Sequence, residues 1–148
     1  MIVMGILNVT PDSFADGGRH NDFEAAVHHG HEMLAEGVDI IDIGGESTKP
    51  GVERVSEEEE LARVIPVIKE LAKTGVRISI DTMRASTARA AISAGAQIIN
   101  DVSGGLADPE MLPTAALLGV PYIAMHWRGH SKDMNSRAVY GDVVKDVI

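Results

Sequence analysis

The sequence predicts an α/β protein of parallel strands joined by helices, on two observations. Short apolar segments of strand length alternate with segments of helical periodicity along the whole chain. Four junctions carry a glycine followed by a small or branched apolar residue, at Gly37-Val38, Gly75-Val76, Gly95-Ala96 and Gly119-Val120. Glycine is favoured just after a helix because it adopts the left-handed conformation without a Cβ penalty. Each glycine is therefore predicted to close a helix ahead of a strand, and short connections between alternating elements favour parallel strands.

The same pattern places five strands and the helices between them. The strands are predicted at residues 3–7, 39–43, 77–80, 97–99 and 121–125. One helix is predicted to begin at Ser56, because Ser56 and Glu59 have the spacing of a capping box and apolar residues recur at helical intervals over residues 61–72. Asp108 followed by Pro109 is predicted to be the N-cap and first turn of a later helix.

Composition narrows the class of protein. The 148 residues carry a formal net charge of −9, which argues against nucleic acid or an anionic membrane as a partner, because phosphate binding needs a basic surface. The chain has no cysteine for disulfides or thiol chemistry, and no stretch reaches the length of a membrane span. Met1 leads directly into strand residues, without a basic segment or a small-residue cleavage site, so we expect a cytoplasmic protein.

Hydrogen-bonding residues lie at or just after the carboxyl end of every predicted strand. They are Asn8, Asp42 with Glu46, Asp81, Asn100 with Asp101, and His126. The carboxyl ends of parallel strands lie at one edge of a sheet, so these groups are predicted to share one rim. Such a rim carries the active site of a (β/α)8 barrel, and it also carries the ligand site of a doubly wound sheet. The pattern leaves both folds open, although no G-x-G-x-x-G follows the first strand, which counts against a dinucleotide-binding fold.

Five ordered motifs resemble one enzyme family. They are MGILNVTPDSFADGG at residues 4–18, IIDIGGESTKPG at 40–51, ISIDTMR at 78–84, INDVSGG at 99–105 and, more weakly, YIAMHWRG at 122–129. Together they resemble the dihydropteroate synthases, folate-pathway enzymes that join a pterin to 4-aminobenzoate. The resemblance covers nearly the whole chain but only about the first half of the family's barrel. It implies a truncated (β/α)8 TIM-barrel type fold with about five parallel strands, forming one partial pterin-binding domain over residues 1–148.

The resemblance implies that Asp81 and Asn100 bind the pterin and act in catalysis. A pterin presents a 2-amino group beside a ring N–H, an edge that a carboxylate can accept in a bidentate manner, and an amide side chain can both donate and accept. Taken without the resemblance, Asp81 could equally be the N-cap of a helix that begins near Arg84. Val102 and Met125 are predicted to form the wall of the pterin pocket, with ordinary core positions as the alternative.

Two loops of the family fold over 4-aminobenzoate, and here they follow the first and second strands. The resemblance implies that Phe14, Thr48 and Pro50 lie near this substrate, with Asp12 on the first loop. Lys49 stands where the family more often has arginine, which weakens bidentate anion binding there because lysine has no planar fork. Both loops are predicted to be among the least ordered parts of the ligand-free chain, since they bury few apolar residues.

The resemblance also places a magnesium ion at Asn8. Magnesium usually keeps several waters and binds substrate phosphates, so a single amide oxygen from the protein is sufficient, and Asp12 is predicted to join when its loop closes. Without the resemblance, Asn8 would be a local turn former. The histidines between residues 20 and 31 are irregularly spaced and are predicted to be surface residues.

The implied reaction is alkyl transfer from carbon to nitrogen, in which the amine of 4-aminobenzoate attacks the pterin methylene and diphosphate leaves. The family normally adds a second acidic pterin contact, a lysine and an arginine–histidine pair, which these 148 residues do not contain. We therefore expect residues 1–148 by themselves to be inactive, and we expect the open sheet to associate into a homodimer or a larger species. The alternatives are the pterin-binding domain of a corrinoid-linked methyltransferase and a noncatalytic pterin-binding fragment.

Overall fold

The structure is a computed structural model that describes residues 1–10, 18–47, 49, 51, 53–132 and 134–148. In chain order its elements are β1 (Met4–Asn8), α1 (Gly18–Glu36), β2 (Ile40–Gly44), α2 (Glu57–Ala72), β3 (Arg77–Asp81), α3 (Ala85–Ala94), β4 (Ile98–Asp101), α4 (Met111–Leu118), β5 (Tyr122–Ala124) and α5 (Val143–Val147). Strands and helices alternate as predicted, and each strand lies within two residues of its predicted position.

The strands form one parallel sheet in the order β1-β2-β3-β4-β5, so each strand pairs with its neighbour in sequence. A doubly wound sheet reverses its strand order at a switch point, whereas a (β/α)8 barrel adds its strands in sequence order. The observed order therefore decides between the two folds that the sequence pattern leaves open. The chain is a five-stranded portion of a TIM-barrel type fold.

One face of the sheet packs against the helices and forms the core. Its strand residues are fully buried, and they are Leu7, Ile41, Ile43, Ile78, Ile80 and Ile99. They form one hydrophobic cluster with the apolar stripe of α2, which consists of Val64, Val67, Ile68 and Leu71. This stripe has helical spacing, so the amphipathic pattern that predicted α2 is also what covers the sheet.

The opposite face of the sheet, which we call the inner face, points to the interior of a closed barrel. The register places on it Ile6, Asp42, Ser79, Asp81, Asn100 and Ile123. Ile6 is 63% exposed and Ile123 is 37% exposed. The middle of this face is polar and largely buried, and its two flanks are apolar and open to solvent.

The four glycines predicted to close helices all have positive φ angles. These are 92° at Gly37, 81° at Gly75, 124° at Gly95 and 65° at Gly119. The prediction is confirmed, since these are backbone conformations that residues with a Cβ rarely adopt. The beginning of α2 is confirmed as well, because Oγ of Ser56 accepts a hydrogen bond of 3.2 Å from the backbone nitrogen of Glu59.

The prediction that Asp108 is the N-cap of the following helix is wrong. That helix, α4, begins at Met111 with Glu110 as its N-cap. The Asp108 carboxylate instead accepts hydrogen bonds from the backbone nitrogens of Ala85, at 2.8 Å, and Glu110, at 2.9 Å. Asp108 therefore caps the start of α3, 23 residues earlier in the chain, a contact that depends on how the two connections pack together.

The outward side of α1 is polar. His28, His29 and His31 are exposed there, as predicted, and Nδ1 of His29 lies 3.1 Å from Oε2 of Glu32. Among the residues that the structure describes, no helix combines the length and the apolar character needed to cross a membrane.

Candidate functional site

Polar side chains from β2, β3 and β4 meet on the inner face near the carboxyl ends of these strands. In the strand register, Asp81 lies between Gly44 of β2 and Asn100 of β4. Nδ2 of Asn100 donates a hydrogen bond of 2.9 Å to Oδ2 of Asp42. The structure thus brings Asp81 and Asn100 side by side, where one flat ligand can contact both.

Several polar atoms of this group have no hydrogen-bond partner in the described part of the chain. The buried ones are Oδ1 of Asp42, Oδ1 of Asn100 and Oγ of Ser79. Buried polar groups are nearly always paired, because leaving one unpaired costs about 1–3 kcal/mol. Two of the three atoms are pure acceptors, so the inner face fits a ligand that brings N–H donors.

The Asp81 carboxyl has a strongly perturbed acidity. Burial raises its pKa from 3.8 to about 7, and repulsion from the carboxylates of Asp42 and Glu60 adds to the shift. Near neutral pH the protonated and ionised forms of Asp81 are therefore similarly populated. A ligand that donates N–H groups to this carboxylate would favour the ionised form. Gly44 accommodates the side chain, since a Cβ atom at Gly44 would lie 3.3 Å from Oδ2 of Asp81.

Asp81 does not cap α3, which was the alternative interpretation of this residue. The backbone nitrogen of Arg84 donates to Oγ1 of Thr82 at 3.1 Å, and that of Ala85 donates to Asp108. The first turn of α3 is therefore capped by two other side chains. Within the described residues, the Asp81 side chain is left free to bind a ligand.

A network of ion pairs lies beside the site and was not predicted from the sequence. Nη1 of Arg84 donates to Oε2 of Glu46, at 2.9 Å, and to Oε2 of Glu60. Nη2 of the same guanidinium donates to the carbonyl oxygen of Val55 at 2.5 Å. Nε of Arg54 donates to the other oxygen of Glu46 at 2.8 Å. Arg84 therefore joins both ends of the connection between β2 and α2 to the helix itself.

The sequence does contain one indication of this network. Glu60 precedes Val64 by four residues and Leu71 by eleven, so it continues the apolar stripe of α2. A carboxylate at a stripe position is predicted to be buried, and buried carboxylates are rare unless paired. The structure shows this outcome, because Glu60 is fully buried and also accepts hydrogen bonds from Oγ1 of Thr82, at 2.6 Å, and Oγ1 of Thr87, at 3.2 Å.

Asp101 was predicted to lie on the rim with Asn100, but it points to the opposite face of the sheet. Its Oδ1 accepts from the backbone nitrogen and the hydroxyl of Ser103, and its Oδ2 accepts from the backbone nitrogen of Gly105 and from the Tyr122 hydroxyl at 2.7 Å. Successive strand residues project to opposite faces, so only one of the pair can reach the site. Burial, with help from the Asp101 hydrogen bond, raises the pKa of Tyr122 above its ordinary value.

The remaining predicted pterin contacts lie just beyond the strand ends. Val102 is half-buried, and Met125 is 51% exposed. The backbone nitrogen of Met125 donates to the carbonyl oxygen of Asp101 at 3.3 Å, which ties the end of β5 to β4. Nε2 of His126 lies 3.0 Å from the hydroxyl oxygen of Tyr140. The proposed contact of Val102 and Met125 with a pterin stays a prediction.

Asn8 is the last residue of β1, where it is exposed and paired in register with Gly44. In the described part of the chain, no three histidine, aspartate or glutamate side chains gather as a metal centre. An exposed amide oxygen at a strand end suits an ion that takes most of its ligands from water and substrate. The residues present therefore fit magnesium only with help from a phosphate-bearing ligand.

Four of the predicted site residues, Asp12, Phe14, Thr48 and Pro50, lie outside the residues that the structure describes. The same holds for residues 11–17 of the first loop and for residues 48, 50 and 52 of the second. The predicted contacts with 4-aminobenzoate, and the predicted low order of residues 11–18 and 48–55, stay predictions.

Proteins of known family are similar to this chain in sequence and in fold. Residues 4–148 match the family described as pterin binding enzyme. The dihydropteroate synthase of Mycobacterium leprae (strain TN) is 54% identical over 146 residues, which cover 98% of this chain and 51% of that protein. The chain thus spans about half the length of the curated relative.

Solved structures of dihydropteroate synthases also match this chain. A structure of Xanthomonas albilineans dihydropteroate synthase with 4-aminobenzoic acid matches with a TM-score of 0.87 at 51% identity, covering 98% of this chain and 51% of the other. A second structure of that enzyme, in complex with 7,8-dihydropteroate, matches with a TM-score of 0.81 at 46% identity, covering 98% and 50%.

Proposed function

Because the chain belongs to the pterin binding enzyme family, we propose that residues 1–148 form a partial barrel domain of a dihydropteroate synthase. The reaction condenses 6-hydroxymethyl-7,8-dihydropterin diphosphate with 4-aminobenzoate to give 7,8-dihydropteroate and diphosphate. The observation that carries the proposal is the placement of Asp81 and Asn100 side by side, in register on adjacent strands of the inner face. Oδ1 of Asn100 and Oδ1 of Asp42 on the same face have no hydrogen-bond partner among the described residues.

In this proposal the ionised Asp81 carboxylate accepts hydrogen bonds from the 2-amino group and ring N–H of the pterin. Asn100 contacts the neighbouring edge of the ring, and Val102 and Met125 line its flat face. Asp81 and Asn100 are partly buried in the middle of the inner face, so these hydrogen bonds act in a medium of lower dielectric constant than water and are stronger there.

Phe14, Thr48 and Pro50, with Asp12, are proposed to hold 4-aminobenzoate above the pterin. The support is their place in the loops that follow β1 and β2 at the carboxyl edge of the sheet. Loops at this edge build the active sites of barrel enzymes. Arg84 joins Glu46 and Val55, which lie near the two ends of the second loop.

The amine of 4-aminobenzoate attacks the methylene carbon of the pterin, a carbon–nitrogen bond forms, and the carbon–oxygen bond to diphosphate breaks. The attacking amine then loses a proton. Positive charge develops on the pterin as diphosphate departs, and the ionised Asp81 stabilises it electrostatically. Asn100 keeps the ring oriented so that the methylene faces the amine.

Mg²⁺ is the proposed cofactor, and the amide oxygen of Asn8 would be one of its ligands, with Asp12 as a second. Bound there, the ion would offset the negative charge of the departing diphosphate. We further propose a homodimer, because the inner face exposes Ile6 and Ile123. We also propose that the protein acts in the cytoplasm, because its proposed substrates are small, soluble folate precursors.

The test is a calorimetric titration of the chain with the pterin diphosphate at pH 8, where Asp81 is mostly ionised. Asp81→Asn should weaken binding by about 1.5–3 kcal/mol, the value of a hydrogen bond to a charged group. Asp39→Asn is the matched control, since Asp39 lies just before the amino end of β2 and bonds the backbone nitrogen of Val3. Equal affinities for the two variants would show that Asp81 does not bind the pterin.

A further inference from the structure

Asp42 is a buried carboxylate that none of the motif assignments uses for binding. It lies in the middle of β2, faces inward beside Ser79 and is 3% exposed. Its Oδ2 accepts the hydrogen bond from Nδ2 of Asn100, a residue 58 positions later on β4. The strand β3, which carries Asp81, lies between these two strands.

This hydrogen bond sets the orientation of the Asn100 amide. The nitrogen end of an amide only donates and the oxygen end only accepts, while a carboxylate only accepts. Turning the amide around would place its oxygen against Oδ2 of Asp42, where two acceptors repel. Asp42 therefore directs the amide nitrogen toward itself and leaves Oδ1 of Asn100 turned away, buried and without a partner in the described residues.

Folding stability does not account for this pair. A buried carboxylate is costly unless all of its hydrogen-bonding capacity is met, and Oδ1 of Asp42 has no partner in the part of the chain that the structure describes. Asp101, which follows Asn100 on β4, shows the contrast, because both of its oxygens accept two hydrogen bonds. The incomplete pairing lies on the inner face, and the complete pairing lies on the core side.

We propose that Asp42 is a positioning residue that presents the carbonyl oxygen of Asn100 to an N–H group of the bound ring. This inference rests on the proposed function and adds a specificity determinant to it. With Asn100 held in this way, the wall made by Asp81 and Asn100 offers mainly acceptors. It therefore selects a heterocycle with donors along that edge and rejects one that presents a carbonyl oxygen there.

The test compares Asp42→Asn with the control Asp39→Asn in the 148-residue chain. Asparagine has the shape of aspartate but can present its own amide nitrogen to Asn100, so the orientation of Asn100 is no longer imposed. Titration with 6-hydroxymethyl-7,8-dihydropterin diphosphate should show about tenfold weaker binding for Asp42→Asn and no change for Asp39→Asn. In ligand-free NMR spectra, the two Nδ2 protons of Asn100 should shift in Asp42→Asn only.

A double-mutant cycle separates positioning from a general structural effect. If Asp42 acts through Asn100, Asp42→Asn should add little to the loss already caused by Asn100→Ala. Equal effects in both backgrounds would overturn the proposal, and so would parent-like binding by Asp42→Asn. Asp42→Ser is the second variant, since serine is too short to replace the carboxylate. If neither variant folds, the role of Asp42 is structural and the proposal is overturned. Failure of the parent chain to bind the pterin would overturn the proposed function together with this inference.

Discussion

Arg84 donates a hydrogen bond through Nη1 to the carboxylate of Glu60, a fully buried side chain 24 residues earlier in the sequence. This ion pair joins the start of α3 to α2. Glu60→Ala should lower the free energy of unfolding by about 3–5 kcal/mol, because it removes a fully buried carboxylate and leaves the partly buried guanidinium with one carboxylate fewer. Glu60→Gln, which keeps the shape, should cost about 1.5–3 kcal/mol. Urea unfolding followed by circular dichroism measures both.

The matched control for this ion pair is Glu58→Gln, an exposed position on the same helix. It should change the unfolding free energy by less than about 0.5 kcal/mol, as surface substitutions usually do. Equal urea midpoints for the Glu58 and Glu60 variants would show that the buried ion pair contributes nothing to stability.

Asp81 should make the ligand-free chain less stable as the pH rises. The ordinary pKa of an aspartate side chain is 3.8, and the pKa of Asp81 in the folded chain is about 7. Between these two values the folded state holds a proton that the unfolded state has lost, so the free energy of unfolding falls with increasing pH. The loss amounts to at most about 4 kcal/mol, at about 1.4 kcal/mol per unit of pKa. Urea unfolding from pH 4 to pH 8 measures it.

In Asp81→Asn this contribution to the pH profile should disappear, and the variant should be more stable than the parent at pH 8. Asp39→Asn should retain the parent's slope across the same range. Superimposable profiles for the parent and Asp81→Asn would show that the Asp81 carboxyl titrates normally in the folded chain.

Tyr122→Phe tests the role of Asp101 as the organiser of the turn after β4. The substitution removes one of the four hydrogen bonds to that carboxylate. The expected loss of unfolding free energy is about 1.5–3 kcal/mol, the value for a hydrogen bond to a charged group. Tyr140→Phe is the control, since it removes the hydroxyl that pairs with exposed His126, and it should cost less. The reverse ranking of the two variants in thermal unfolding would contradict this assignment.

The 148-residue chain should associate in solution and should not release diphosphate when supplied with magnesium, pterin diphosphate and 4-aminobenzoate. About five strands do not close a barrel that typically needs about 250 residues, and the exposed inner face favours association. Sedimentation should show that Ile6→Ser shifts the chain toward monomer, because Ile6 is an exposed inner-face residue. Leu117→Ser, on the exposed surface of α4, should leave the distribution unchanged.

Two results would count against this expectation. Turnover by chain of verified mass, at a rate comparable to that of an intact synthase, would mean that these residues carry the whole catalytic site. A parent chain that sediments as a monomer would mean that the open inner face does not drive association.

The elements of the fold were predictable from the sequence because their causes are local. The helix-closing glycines are set by the backbone conformation of one residue, and the cap at Ser56 involves a residue three positions away. Strand ends were predictable for a similar reason, since each is marked by the change from an apolar segment to a polar residue. The ordered motifs predicted the family as well. The resemblance to that family implied that Asp81 and Asn100 bind the same ring.

Contacts between distant segments were decided by the tertiary structure. Strand order separated the barrel from the doubly wound sheet, and the strand pleat turned Asn100 to the inner face and Asp101 to the core. Asp108 resembles a cap for the helix that follows it, yet it caps α3, because the two connections pack together. Such partners are 21 to 58 residues apart in the chain, and their pairing depends on how the strands and helices stack, which no local pattern encodes.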